Sequence, residues 1–205
     1  MSPKPDVSAE RKQQIYEAAL VCFSRKGYYQ TTMDDIVAES GLSKGALYWY
    51  FESKKELFMS MLVEVMEPVI QEWEAIADDE NISATQKMQL SLAHFRSLFE
   101  GMIDFFNVVM EAWALTQHDE DVEKLTRDFY KPYLAIMSRI IEEGITQGEF
   151  QVEAPQATSA VILTMFDGLT LAVGAGMLAQ EMDELWDAAE ALVLRGLGVD
   201  QSGSF

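Results

Sequence analysis

With 205 residues, 49% of them hydrophobic, the chain is long enough for one large or two small domains around a sizeable core. Its 34 Asp and Glu against 15 Lys and Arg give a formal charge of −19, which excludes a protein that holds nucleic acid by bulk charge. A single cysteine, Cys22, excludes an internal disulfide; with no catalytic partner nearby, it is expected as a buried filler in a reducing compartment.

Residues 1–9 carry Pro3 and Pro5 and read as an arm, without the pattern of a secretory signal. From about Glu10 to Lys26 an apolar stripe of Ile15, Ala18, Ala19, Leu20, Cys22 and Phe23 predicts a helix, and Gly27 is placed to end it. Thr32 and Asp35 have the spacing of a capping box, so a second helix opens there with Met33, Ile36 and Val37 inward. Gly41 supplies the chain reversal, Leu42 plugs the corner, and Ser43 caps a third helix over Lys44 to Phe51. Helix, glycine turn and second helix make a helix-turn-helix, whose second helix enters the major groove of DNA.

On that third helix Leu47 and Phe51 are one turn apart and face the core. Lys44, Gly45, Ala46, Tyr48, Trp49 and Tyr50 are left on or near the outer face, and three consecutive rings cannot all be buried on so short a helix. Phenolic hydroxyls suit phosphate oxygens, and ring edges suit a thymine methyl. Gly45 and Ala46 have almost no side chain, so the helix N-terminus can approach a base or phosphate closely. Ser53 and Glu56 form a second capping box, with Lys54 and Lys55 beside it as phosphate clamps; Lys4, Arg11 and Lys12 add positive charge near the start. The charge distribution fits this assignment: residues 1–60 hold eight Lys or Arg and eight Asp or Glu, while residues 61–205 hold seven against 26. An acidic body is expected to repel DNA and leave the neutral tip to approach it.

The fourth helix opens at Ser53, carries Leu57, Phe58, Met61, Leu62, Val65 and Met66, and meets Pro68, a functional bend or a passive kink or break. Ser83 and Gln86 make a third capping box. Helices are then expected over about Ala84–Glu100, Met102–Thr116, Asp121–Gln147, Pro155–Gln180 and Asp183–Leu197. With no β-alternation or repeat, the fold class is all-α: a three-helix N-terminal domain bearing the helix-turn-helix, residues 1–55, and a C-terminal helical bundle, residues 56–200. The stretch Ser159 to Ala179 is apolar enough for a membrane test. Asp167 at its midpoint costs about 2.5–3.5 kcal/mol in a bilayer, so a buried helix is expected and no membrane partner. Gly168, Ala172, Ala175 and Ala179 form a small-residue face there, and Leu185, Ala188, Ala189, Leu192 and Val193 an apolar ridge on the last helix.

The run GLSKGALYWYFESKKELF, preceded by ALVCFSRKGYYQTTMDDIVAES, resembles the DNA-binding domain of the TetR family of bacterial transcription regulators over roughly Gln13 to Met59. The F-x-x-x-G-Y-x-x-T-T spacing, the G-x-S-x-G-x-L-Y-x-Y-F turn and helix, and S-K-x-E-L-F fall in register. The resemblance implies phosphate contacts at Thr32, Ser43, Tyr48, Tyr50 and Lys54, and base-reading positions at Lys44, Gly45, Ala46 and Trp49. It implies a cytoplasmic homodimer paired through the last two helices, on a double-stranded DNA operator, repressing until an effector is bound in the body. Two half-sites a helical turn apart require such a two-fold pair.

Phe95, Phe99, Met102, Phe106, Met110, Trp113, Tyr133, Met137, Met165 and Phe166 give the body a soft, aromatic interior suited to a small, largely apolar effector. Each taken singly also suits plain core. Asp104, Asn107 and Glu111 read as a solvated stripe, with Glu111 open to a cationic ligand if it turns inward. His94 and His118 lie on different helices without a ligand cluster, and no nucleophile elbow, phosphate loop or dinucleotide fingerprint occurs, so no metal, cofactor or enzyme activity is expected. Control by a protein partner instead of a small molecule is the other reading of the body.

Overall fold

Helical periodicity, glycine breaks and capping residues generate an all-α chain, as the sequence leads one to expect. The computed structural model describes residues 7–101, 103–178 and 182–199, with the side chains of residues 7, 99–101, 103–107 and 111 outside that description. The described residues form α1 (Val7–Gln30), α2 (Met33–Ser40), α3 (Lys44–Tyr50), α4 (Lys54–Asp78), α5 (Ala84–Gly101), α6 (Ile103–Thr116), α7 (Glu120–Gln147), α8 (Pro155–Gly174) and α9 (Met182–Gly196). They divide into two compact units: Met1–Pro68 with Ile103–Arg127, and Val69–Met102 with Asp128–Phe205.

In the first unit α1 packs against α2 and α6. Ile15, Ala19, Ile36, Leu47, Leu57 and Phe58 are fully buried there, an apolar nucleus that fixes the short helices no local propensity would hold alone. Gly27 breaks α1 with φ 74° and ψ 166°, but helix resumes to Gln30 instead of ending. The buried Thr31 hydroxyl closes this segment on the carbonyls of Gly27 (2.8 Å) and Cys22 (3.1 Å). Cys22 is buried as expected, and burial pushes its thiol up.

The second unit centres on aromatic and aliphatic packing. Phe166 stacks on Trp186 at 5.4 Å, Phe95 leans on Phe166 at 5.4 Å, and Trp73 meets the Tyr133 ring edge-on at 5.2 Å. Two polar ties, one buried and one half-buried, join its helices. Lys87 is only 3% exposed and donates to the Ala77 carbonyl (2.9 Å) and to Glu143 (2.7 Å). Glu149 caps the start of α5, accepting from the Ala84 and Thr85 amides at 3.2 and 2.9 Å. Gly144 leaves room for the Phe150 ring, which a Cβ would meet at 2.2 Å.

Three further sequence expectations change. The α8 helix, expected to reach Gln180, closes at Gly174: Gly176 turns with φ 66°, and the Met177 amide bonds back to Ala172 at 2.8 Å. Ala175 therefore lies past the helix, and Ala179 and Gln180 lie outside the described residues. Nor is α8 buried all round. Ser159, Ile162, Leu163 and Phe166 face the core, while Val161 is 66% and Leu171 38% exposed, because only one side of the helix meets the rest of the unit. By length and composition α8 would be long and apolar enough to cross a membrane. Finally, the Glu56 carboxylate accepts from the Glu52 amide (2.7 Å), so only the Ser53 half of that capping box forms. The Ser83–Gln86 box closes in both directions, and α4 continues through Pro68 without a break.

Candidate nucleic-acid interface

The reading surface is assembled by caps. Thr32 and Asp35 bond reciprocally at the start of α2: the Asp35 amide donates to Thr32 Oγ1 (3.1 Å) and the Thr32 amide to Asp35 Oδ2 (2.9 Å). Lys26 approaches the same carboxylate at 2.7 Å; its hydrogen bond and those from Thr32 hold Asp35 down at about 2. Gly41 takes the left-handed conformation, φ 67°, that reverses the chain. Ser43 Oγ then accepts from the Ala46 amide at 3.2 Å and starts α3. Gln14 of α1 donates to the Ser40 carbonyl at 2.7 Å, so the first helix braces the turn.

Within α3, Leu47 is buried and the following Phe51 packs beside Tyr16, ring centroids 5.5 Å apart. The opposite side is open. Trp49 is 74% and Tyr48 43% exposed, and the Trp49 ring stands edge-on to Tyr50 at 4.6 Å. Gly45 is exposed, and a Cβ built on it would meet nothing within 4 Å, so packing inside the chain does not require glycine there. Lys44 reaches Asp34 at 2.7 Å and lies 5.9 Å from the centre of the Tyr48 ring. Its hydrogen bond with Asp34 raises the Lys44 pKa. An open groove of about 490 Å³ runs along this face, lined by Arg11, Gly41, Leu42, Ser43, Ala46, Trp49 and Tyr50.

The two lysines opening α4 are engaged differently from a pair of free clamps. Lys54 Nζ donates to the carbonyls of Tyr28 (2.5 Å), Thr31 (2.8 Å) and Tyr29 (3.3 Å), and sits 4.4 Å from the Tyr28 ring centre. It braces the α1–α2 corner with all three ammonium donors. Lys55 pairs with Asp119 at 2.8 Å and Asp121 at 2.6 Å, which raises its pKa and lowers that of Asp119. Lys55 is thus tied to the α6–α7 connection, not set aside for phosphate. Arg25 likewise meets Glu39 at 3.3 Å. Three of the segment's cations, Arg25, Lys26 and Lys44, are paired with carboxylates inside it, and Lys55 with carboxylates outside it, a feature that residue totals cannot reveal.

The remaining predicted positions fall as follows. Thr32 and Ser43 are exposed at their caps, Tyr50 is half-buried, and Ala46 lines the groove. Of the predicted effector residues, Phe95, Tyr133, Met137, Met165 and Phe166 belong to the second unit and Met110 and Trp113 to the first. Met137 and Phe166 are fully buried. Met102 and the side chains of Phe99, Phe106, Asp104, Asn107 and Glu111 lie outside the described residues. Trp186, which joins the Phe95–Phe166 cluster, was not among the residues predicted; it lies far along the chain, on a helix assigned by its apolar ridge to pairing. Among the described residues no His, Cys, Asp and Glu group could hold a metal ion.

Comparison with known proteins decides what this surface belongs to. The family described as bacterial regulatory proteins, tetR family, matches residues 15–61, and the BetI-type transcriptional repressor C-terminal domain matches residues 84–197. An uncharacterized HTH-type transcriptional regulator, YfiR of Bacillus subtilis, is 33% identical over 180 residues, covering 82% of this chain and 83% of its own. The chain belongs to the TetR family of transcriptional regulators. This TetR-family chain is also 28% identical to the fatty acid metabolism regulator protein of Bacillus subtilis, over 67% of this chain and 70% of that protein. The crystal structure of Bacillus subtilis FadR in complex with stearoyl-CoA shares its fold: TM-score 0.77 at 24% identity, covering 90% of this chain and 98% of that one. The helix-turn-helix of this TetR-family regulator is its DNA-binding element.

Proposed function

We propose that the protein is a cytoplasmic homodimeric repressor that leaves its operator when a small, largely apolar effector binds in the C-terminal body. The observation that carries the DNA half is the outward face of α3, where Trp49 and Tyr48 stand exposed beside a Gly45 whose missing side chain no internal contact demands. Lys44, Gly45, Ala46 and Trp49 are assigned to base edges, and Thr32, Ser43, Tyr48 and Tyr50 to phosphates, with Lys54 reaching a phosphate by exchanging one of the carbonyls of Tyr28, Tyr29 and Thr31. Residues 1–55 then act as the reading head and 56–200 as the sensing and pairing body. Exposed Val161, Leu171 and Leu192 on α8 and α9 support pairing through the last two helices, since a second copy would cover apolar surface that a lone chain leaves wet. The aromatic cluster in the second unit, with Phe95, Tyr133, Met137, Met165 and Phe166, supports an apolar effector. The repressor assignment is supported by the description of the matched C-terminal domain.

Lys44 must exchange Asp34 for a base, because the two are paired at 2.7 Å in the free chain. Specificity at that base pair is therefore bought only where the new contact outweighs the old one. The test is fluorescence anisotropy on a duplex selected from a random library and on its scrambled counterpart. Lys54→Ala weakens both duplexes alike, whereas Lys44→Ala costs about 1–3 kcal/mol on the selected duplex and relaxes specificity. Equal losses on both duplexes for both variants would remove Lys44 from base reading. Effector control is tested on the same complex: an apolar ligand that binds the chain must lower operator affinity, a coupling of about 1–3 kcal/mol.

A further inference from the structure

Most buried polar atoms in a folded chain find a partner, because an unpaired one forfeits its bonds to water. Among the described residues four do not: Trp73 Nε1, Ser91 Oγ, His94 Nε2 and Thr170 Oγ1, all within the second unit. Three contacts tie their helices to one interior. Trp73 of α4 meets Tyr133 of α7 at 5.2 Å, Phe95 beside His94 on α5 meets Phe166 beside Asp167 on α8 at 5.4 Å, and the Tyr130 hydroxyl of α7 donates to Asp167 Oδ2.

Asp167 is the feature that core packing does not explain. It lies near the middle of an apolar helix, burial pushes its carboxyl up, and among the described residues no Lys, Arg or His pairs with it. Nor does the sequence offer one nearby, since no Lys, Arg or His stands between Arg139 and Arg195. Among the described residues its protein donor is Tyr130. Three of the four unpaired atoms can act as acceptors. His94 Nδ1 lies 3.1 Å from Glu72 Oε2, and if it is the protonated nitrogen, Nε2 is left as an acceptor. The Thr170 and Ser91 hydroxyls accept as well as donate. A half-buried carboxylate whose described protein partner is a tyrosine hydroxyl is matched by a group that only donates and carries positive charge, which is an ammonium.

We propose that Asp167, with Thr170 one turn along α8 and Tyr130 of α7, seats a protonated amine carried by an otherwise apolar effector. This rests on the effector reading above and adds the charge of the ligand to it. The acidic body works in the same direction, since a formal charge of −19 draws cations toward the chain and repels carboxylates. Trp73 and Tyr133 supply flat surface for the apolar part.

The test titrates three probes of one chain length, decylammonium, decanol and decanoate, into the full-length protein by calorimetry below their aggregation limits. Each is then added to the protein–operator complex. The wild type binds decylammonium most tightly and decanoate least. Asp167→Asn keeps an acceptor for Tyr130 and a similar volume, leaves the melting temperature and decanol binding unchanged, and loses decylammonium affinity by on the order of tenfold to a hundredfold. Tyr130→Phe keeps the preference for the ammonium, because the charge remains. Decanol or decanoate binding as tightly as decylammonium, an Asp167→Asn variant that keeps the preference, or a Tyr130→Phe variant that falls as far as Asp167→Asn would each overturn the amine site. The two readings separate cleanly: if decanol or decanoate binds and releases the operator, effector control survives without the amine, and if none of the three binds, both fall.

Discussion

Gly45→Ala separates folding from DNA binding in a single methyl group. Gly45 has a helical backbone in the first turn of α3, and its Cβ would meet nothing within 4 Å. Alanine there removes glycine's conformational cost, so the folded chain gains about 0.5–1 kcal/mol. For a chain of this size that raises the melting temperature by about 1–4 °C. The same methyl lands on the face between Lys44 and Tyr48, where DNA is proposed to approach the helix N-terminus. Forcing an extra carbon into a close contact costs about 1–3 kcal/mol, which lowers affinity for the selected duplex by about 5- to 150-fold. Differential scanning calorimetry and fluorescence anisotropy measure the two effects on one sample. A variant that melts higher and binds its duplex as tightly as wild type would refute close approach at Gly45.

Other substitutions test the scaffold. Gly144→Ala sets a Cβ 2.2 Å from the Phe150 ring and costs about 1–3 kcal/mol in chemical denaturation, offset only in part by the roughly 0.5–1 kcal/mol that alanine gains within α7. Lys87→Met leaves Glu143 and the Ala77 carbonyl without their buried donor and lowers stability by about 3 kcal/mol in urea titrations. Asp35, held at about 2 by Lys26 and Thr32, adds stability above the ordinary carboxylate range that is lost as the pH falls toward about 2. Unfolding midpoints measured across that acid range should fall less steeply for Asp35→Asn than for wild type.

What the sequence showed and what it hid follow from the range of the interactions. Thr32, Asp35, Gly41 and Ser43 act on neighbours within a few residues, so the turn and its caps could be read directly and are present in the structure. Leu47 and Phe51 followed from helical spacing and are buried. The partners of Lys44, Lys54 and Lys55 could not be read this way. Asp34, the Tyr28 carbonyl and Asp119 reach them from other helices and loops, and no periodicity encodes such meetings. The early end of α8 is not encoded by apolar spacing, which runs on past Gly174; the positive φ of Gly176 turns the chain there. Asp167 was visible as an obstacle to membrane insertion, but its bond to Tyr130 spans 37 residues and appears only in the fold.

The central claim is that the exposed side of α3 reads duplex DNA, two chains at a time. Sedimentation of the full-length protein with its selected duplex, wild type beside Trp49→Ala, tests that most directly. Two chains per duplex for the wild type, and loss of the complex at the same concentrations for the variant, are the expected result. A single chain per duplex, or a Trp49→Ala variant that binds unimpaired, would contradict it.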